Sequence, residues 1–155
     1  MRTKEEIAAR IKDHEGRMFN FEVDVLLPYL DYEVAKPYLN PTVNALEWEE
    51  ARIKEPSDEM ILVHARKYLE FAIGKAEDHR GLSAMRSVQK LAAWAWLLNR
   101  QDVLDQLEVT PYAPYGGPQL AVFCEAFNYH LPISDRAQRM MDGHPCSPEC
   151  TECGS

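Results

Sequence analysis

The stretch LAAWAWLL, residues 91–98, is apolar at eight consecutive positions, and no other feature constrains the fold as tightly. Eight residues fall far short of the roughly 20 that a helix needs to span a bilayer. Wound as a helix, the run is apolar on nearly every side, and such a helix belongs at the centre of a bundle with neighbours all round. Trp94 and Trp96, two positions apart, then face different directions and serve two neighbours.

Caps and periodicity mark further helices around that centre. Thr3 with Glu6 forms a capping box ahead of Ile7, Ala8 and Ile11, with Gly16 as the stop. Asn40 before Pro41 opens a segment carrying Val43, Leu46 and Ile53 that ends before Pro56. Ser57, with Asp58 and Glu59 in the first turn, starts the longest helix, which runs to about His79 with Ile61, Ala65, Tyr68, Leu69 and Ala72 on one face. Gly81 interrupts it, and Ser83 caps a successor that carries Met85, Val88, Leu91 and Ala92 into the apolar run. A short helical piece over 102–107 and the loop TPYAPYGGP follow. Then come a helix from Pro118 to Phe127 and a last short one from Ser134 to Gly143.

FNFEVDVLL, from Phe19, alternates apolar and polar residues with the period of a half-buried strand. No second strand is evident to pair with it, so the segment near 17–40 is read as extended or irregular, with one helical turn over 30–35 between Pro28 and Pro37. The expected fold is therefore all-α: a single compact bundle of about five to seven helices with an irregular stretch near 17–40. Residues 1–142 form the helical domain and 143–155 a Cys/His-rich C-terminal tail.

Seventeen Lys and Arg against 25 Asp and Glu leave a net charge of -8. A negative field opposes phosphate binding, so nucleic acid is not an expected partner. The start, MRTKEEIAAR, lacks the apolar stretch of a secretory signal, and no run is long enough for a membrane. Cytoplasm is the expected compartment, and there four cysteines are more naturally thiols or metal ligands than disulfides.

The tail, HPCSPECTECGS, carries the most pointed chemistry. His144, Cys146, Cys150 and Cys153 offer an imidazole and three thiolates, a complete tetrahedral set for zinc, and Gly143, Pro145 and Pro148 let a short chain wrap a metal. Four ligands close the site, so the expected role is structural. Two other readings stay open: a disordered reduced tail, and a redox-active or transiently disulfide-bonded one. The cysteine spacing also matches the cluster motif of radical-SAM enzymes, but the likeness stops at spacing. The tail is nearly devoid of apolar residues, so its order must come from metal or from packing on the body, on which the body itself is not expected to depend.

A second constellation is Arg80, Ser83 and Arg86. If Ser83 begins a helix, free amides and two guanidiniums suit a phosphate or carboxylate. The plainer reading makes Gly81 a turn, Ser83 a cap, and the arginines partners of Glu77 and Asp78. His14, His64, His79 and His130 read as surface or packing residues, and Cys124 as a small buried hydrophobe. No zinc-protease helix, phosphate-binding glycine loop or serine-nucleophile elbow is present.

DYEVAKPYLNPTVNALEWEE, GKAEDHRGLSAMRSVQKLAAWAWLLNR and YAPYGGPQLAVFCEAF together resemble a family of small uncharacterised proteins from bacteria and their phages. The resemblance implies a helical fold and a mobile-element setting, and it transfers no catalytic residue. The expected function is thus a non-enzymatic protein-interaction module, an accessory that modulates a host factor through an unidentified protein partner. The alternative is a small-molecule or anion-binding protein, or an enzyme, built on Arg80, Ser83 and Arg86.

Overall fold

The computed structural model describes residues 1–17, 20–79 and 81–151, and at 81–83 the backbone alone. Every regular element among these residues is helical: α1 (Lys4–Asp13), α2 (Glu22–Leu26), α3 (Tyr32–Ala35), α4 (Ala45–Ala51), α5 (Asp58–Glu77), α6 (Gly81–Leu97), α7 (Gln101–Val109), α8 (Gly117–Ala126) and α9 (Asp135–Met141). Short 3-10 turns occur at Leu27–Tyr29, Lys36–Tyr38 and Pro114–Gly116. The all-α expectation holds. The helices outnumber the expected five to seven because the irregular stretch contains two of its own, α2 and α3. No helix among the described residues is long and apolar enough to cross a membrane.

Helix α6 lies at the centre, packed against α2, α5, α7 and α8. Its Leu91 and Ala95 belong to one core, with Ala65, Leu69 and Ala72 of α5 and Phe123 and Phe127 around α8. Its Ala93, Trp96 and Leu97 belong to a second, with Ile7 and Ile11 of α1, Leu26, Leu30 and Ile61. Trp96 is held between two guanidiniums, Arg2 at 4.7 Å and Arg10 at 4.8 Å from its ring. Arg10 also makes a two-oxygen contact with Glu22, at 3.0 and 3.2 Å, fixing α1 to α2.

The expected caps at Thr3, Ser57 and Ser134 form, each side chain accepting from an amide in the first turn of α1, α5 and α9. Two expectations change. The alternating segment is wound into α2 and a following 3-10 turn, so Val25, Leu26, Leu27, Tyr29 and Leu30 are all buried instead of every second residue. With no strand to pair with, the backbone there is satisfied by local helical bonds; Phe19, where the alternation begins, lies outside the described residues. The helix after Asn40 starts later than its first cap suggested. The Asn40 carboxamide accepts from the Thr42 amide at 3.0 Å and hydroxyl at 2.9 Å, closing a local turn. Asn44 then caps α4, accepting from the Glu47 amide at 2.9 Å.

Gly116 and Gly117 bring α8 against α9. A Cβ at Gly117 would lie 1.9 Å from the carbonyl oxygen of Met140, a backbone atom with nowhere to go. Gly116 has φ +67 and faces Val88 of α6. Gly117→Ala is therefore expected to cost about 3 kcal/mol in urea unfolding. Leu97→Ala, a fully buried position, is expected to cost about 2–5 kcal/mol. A variant of either kind with an unchanged midpoint would show that α6, or the α8–α9 contact, is not central.

Candidate metal centre

Two helix ends create the site. At the end of α5, Asp78 is the cap and His79 takes the next position with φ +58, its amide donating to the Ala76 carbonyl at 3.0 Å. At the end of α9, Gly143 takes the equivalent position with φ +87. Its amide donates to Met140, and that of His144 donates to Arg139 at 2.9 Å, the paired bonds of a Schellman ending. Arg139 then holds the returning chain by donating from Nε to the Pro145 carbonyl at 3.1 Å. The chain doubles back and delivers Cys146 to the body.

Cys146 is only 4% exposed and lies in the core cluster that contains Ala76, Met140 and Met141. The C-terminal segment is therefore part of the packing as far as Cys146, and the expected independence of the body from the tail does not extend to that residue. Cys150, half-buried, follows a turn in which its amide donates to Ser147. The donor atoms of His79, Cys146 and Cys150 lie within 4.8 Å of one another. His79 Nε2 is 2.9 Å from Cys146 Sγ and 3.4 Å from Cys150 Sγ. Bond lengths of about 2.3 Å to sulfur and 2.0–2.1 Å to nitrogen place tetrahedral donors about 3.6 Å apart, so small side-chain shifts suffice to seat a metal ion.

Two neighbours complete the surroundings. The Tyr115 ring lies 5.3 Å from the imidazole. Arg136 Nη2 is 3.2 Å from both ring nitrogens of His79. A guanidinium only donates, so it pairs with the imidazole only through a nitrogen that carries no proton.

Of the four donors expected in the tail, Cys146 and Cys150 come together. His144 is exposed and stands outside the group, its backbone committed to the ending of α9; Cys153 lies outside the described residues. The imidazole of the group is that of His79, which sequence reasoning placed among surface or packing residues because 67 positions separate it from Cys146. No sequence signal pointed to it. His79 holds the left-handed position after α5, as Asn99, Asn128 and Gly143 do after α6, α8 and α9, and that conformation is visible only in the structure.

The second constellation is only partly described. Arg80 and the Ser83 side chain lie outside the described residues. Helix α6 begins at Gly81, which puts the backbone of Ser83 inside its first turn. Arg86 projects over the Phe21 ring at 4.9 Å, while Glu77 accepts from the Ser134 hydroxyl at 2.6 Å.

No protein-family model, curated protein or solved structure matches the chain.

Burial pushes the Cys124 thiol up to about 11. At pH 8 about one molecule in a thousand then carries the Cys124 thiolate, the form that reacts. Alkylation of native protein at pH 8 is expected to leave Cys124 unmodified with or without metal, and to modify Cys150 only after chelation. Rapid labelling of Cys124, or labelling of Cys150 indifferent to chelator, would contradict this assignment.

Proposed function

We propose that the chain is a non-enzymatic interaction module whose C-terminal segment is fastened to the helical body by a structural zinc ion. The observation that carries the proposal is the convergence of His79 with Cys146 and Cys150 from two distant parts of the chain. One imidazole with thiolates is the donor set that zinc favours, and it suits neither magnesium nor calcium. Cys153, three positions beyond Cys150 in the sequence and outside the described residues, is the fourth ligand in this proposal. A closed Cys3His site carries net charge -1, from three thiolates and a dication, and Arg136 is placed to balance it. With no open position for water or substrate, the ion organises structure and does no Lewis-acid chemistry.

The interaction half of the proposal rests on surface character. Val63 and Leu131, each about half exposed, flank a shallow hollow of about 210 Å³ together with Tyr129 and His130. Apolar side chains held in water beside such a hollow suit a protein partner. The mobile-element setting implied by the resemblance belongs to the same proposal.

Elemental analysis of protein purified without chelator is expected to give about one zinc per chain. His79→Gly is the decisive variant, because glycine accepts the left-handed backbone at that position while the imidazole is removed with its contacts to Tyr115 and Arg136. It is expected to lose the zinc, and in chelator to melt no lower than the parent under the same conditions. Metal-free parent protein, or full zinc in His79→Gly, would overturn the metal assignment. Val63→Asp is expected to abolish capture of a partner without changing the melting temperature; capture that survives it would move the interaction elsewhere.

A further inference from the structure

A second group of side chains, which shares no residue with the His79, Cys146 and Cys150 cluster, lies between α5 and α6. Arg86, Lys90 and Trp94 repeat every four residues along α6 and so stand one above another on one face. Facing them from α5 are Tyr68, Phe71 and Lys75, and from the 3-10 turn after α2 comes Tyr29. The two helices and the turn enclose two hollows that meet at Tyr68 and Lys90. The larger, about 260 Å³, is lined by Val25, Tyr29, Ile53, Tyr68 and Trp94, with Asp24, His64 and Lys90 as its other polar residues. The smaller, about 140 Å³, brings Lys75, Arg86 and Lys90 together.

Two features mark this cleft as built for a ligand. First, Tyr29 is 2% exposed, yet neither its hydroxyl nor the buried Trp94 Nε1 has a hydrogen-bond partner of ordinary geometry. The two groups are neighbours: burial raises the Tyr29 pKa and the adjacent Trp94 indole partly opposes that rise. Even if the indole N–H reaches the phenol oxygen, the phenol proton still lacks an acceptor, because an indole N–H only donates. A buried donor without an acceptor is costly and rare in native proteins. Second, three cations line one small hollow in a chain whose net charge is -8. The only ion pair that relieves any of them among the described residues is Lys90 with exposed Asp24, at a long 3.9 Å.

We infer that this cleft binds a small organic carboxylate with a planar apolar body. The ring lies among Tyr68, Trp94, Val25 and Ile53, and the carboxylate, an acceptor with no donors of its own, accepts hydrogen bonds from the Tyr29 hydroxyl and the Trp94 Nε1–H, with Lys90, which lines both hollows, beside it and Lys75 and Arg86 adding charge from the smaller hollow. Mostly apolar walls with a few convergent polar groups are the general make-up of a small-molecule site. The Arg86 of the sequence constellation serves here with Lys75 and Lys90, not at a helix N-terminus.

The test uses the full chain, labelled with ¹⁵N at its tryptophans, and phenylacetate as the probe. Trp48 is an internal control, since its Nε1 already donates to the Leu30 carbonyl at 3.0 Å. Phenylacetate is expected to shift the Trp94 indole resonance and leave that of Trp48 in place, with a Kd of about 1 mM or tighter. The neutral isostere phenylacetamide is expected to bind at least about tenfold more weakly, and Lys90→Met to lose about the same factor for phenylacetate. Tyr29→Phe is expected to weaken binding while raising the melting temperature of the unliganded protein by about 2–4 °C, since it removes a buried donor that has no acceptor. No Trp94 shift at 10-fold the expected Kd, equal binding of the amide, or unchanged affinity in Lys90→Met would each overturn the inference. Lys90 is only half-buried, so that variant tests the site even where Tyr29→Phe folds poorly.

Discussion

The burial of the apolar end of α6 between two groups of neighbours organises everything else in the molecule. A helix with a single apolar stripe needs one neighbour, but LAAWAWLL needs several, and the chain supplies them in two groups. Leu91 and Ala95 are covered by the C-terminal helices, Ala93, Trp96 and Leu97 by the N-terminal ones. The small residues at 92, 93 and 95 let those neighbours approach closely, while Trp94 and Trp96 reach outward between them. Trp96 meets the Arg2 and Arg10 guanidiniums at the N-terminal face, and Trp94 meets Tyr68 at 5.3 Å. One helix thus divides the protein into two cores and joins them.

A bundle built on a central helix requires sharp reversals at helix ends, and here the reversals also place the chemistry. Helices α6, α8 and α9 each end with a left-handed residue and the paired bonds of a Schellman motif. The last carbonyls of α8 are further served by side chains: Arg66 donates to Phe127 at 2.6 Å and Arg100 to Ala126 at 3.2 Å. The endings of α5 and α9 lie side by side because Gly117 lets the start of α8 touch the backbone of Met140. From that contact His79 and Cys146 meet, one projected by the end of α5 and the other returned by the turn after α9. The donor cluster is a consequence of how the helices stop.

Features written in neighbouring residues were legible in the sequence. The capping residues Thr3, Ser57 and Ser134, the all-apolar run of α6 and the Gly-Pro start of α8 each need only a few positions to declare themselves. Two local signals in competition were harder to read: Asn40 and Asn44 are both good caps, and only the closed turn at Thr42 decides between them. The alternation after Phe19 misled because period two has meaning only when a partner strand exists, and the preference for satisfied backbone won over the side-chain pattern. His79 lay beyond reach of spacing rules, since its partners come from the far end of the chain. So did the cleft, whose walls come from α2 to α6 and whose orphaned hydroxyl on Tyr29 is invisible without packing.

The same reasoning explains why a thiol-rich segment is the means of closing this particular fold. After Gly143 the chain has too few apolar side chains to bury a surface of its own, and conformational entropy of about 1–2 kcal/mol per residue opposes its ordering. Among the described residues of that segment Cys146 enters the core and Cys150 packs against it, and two small side chains contribute little to hold the residues that follow. In the proposed reading, bonds from a metal ion would supply the difference without enlarging the core, because a structural zinc site stabilises by several strong ligand bonds in a small volume. The histidine of the group follows directly on the cap of α5 and is flanked by Tyr115 and Arg136. In that reading a partly preformed group of this kind would lose less entropy on binding than a tail that has to assemble all of its ligands from a flexible chain, and the ion would be a fastener between two parts of the fold instead of the centre of an independent finger.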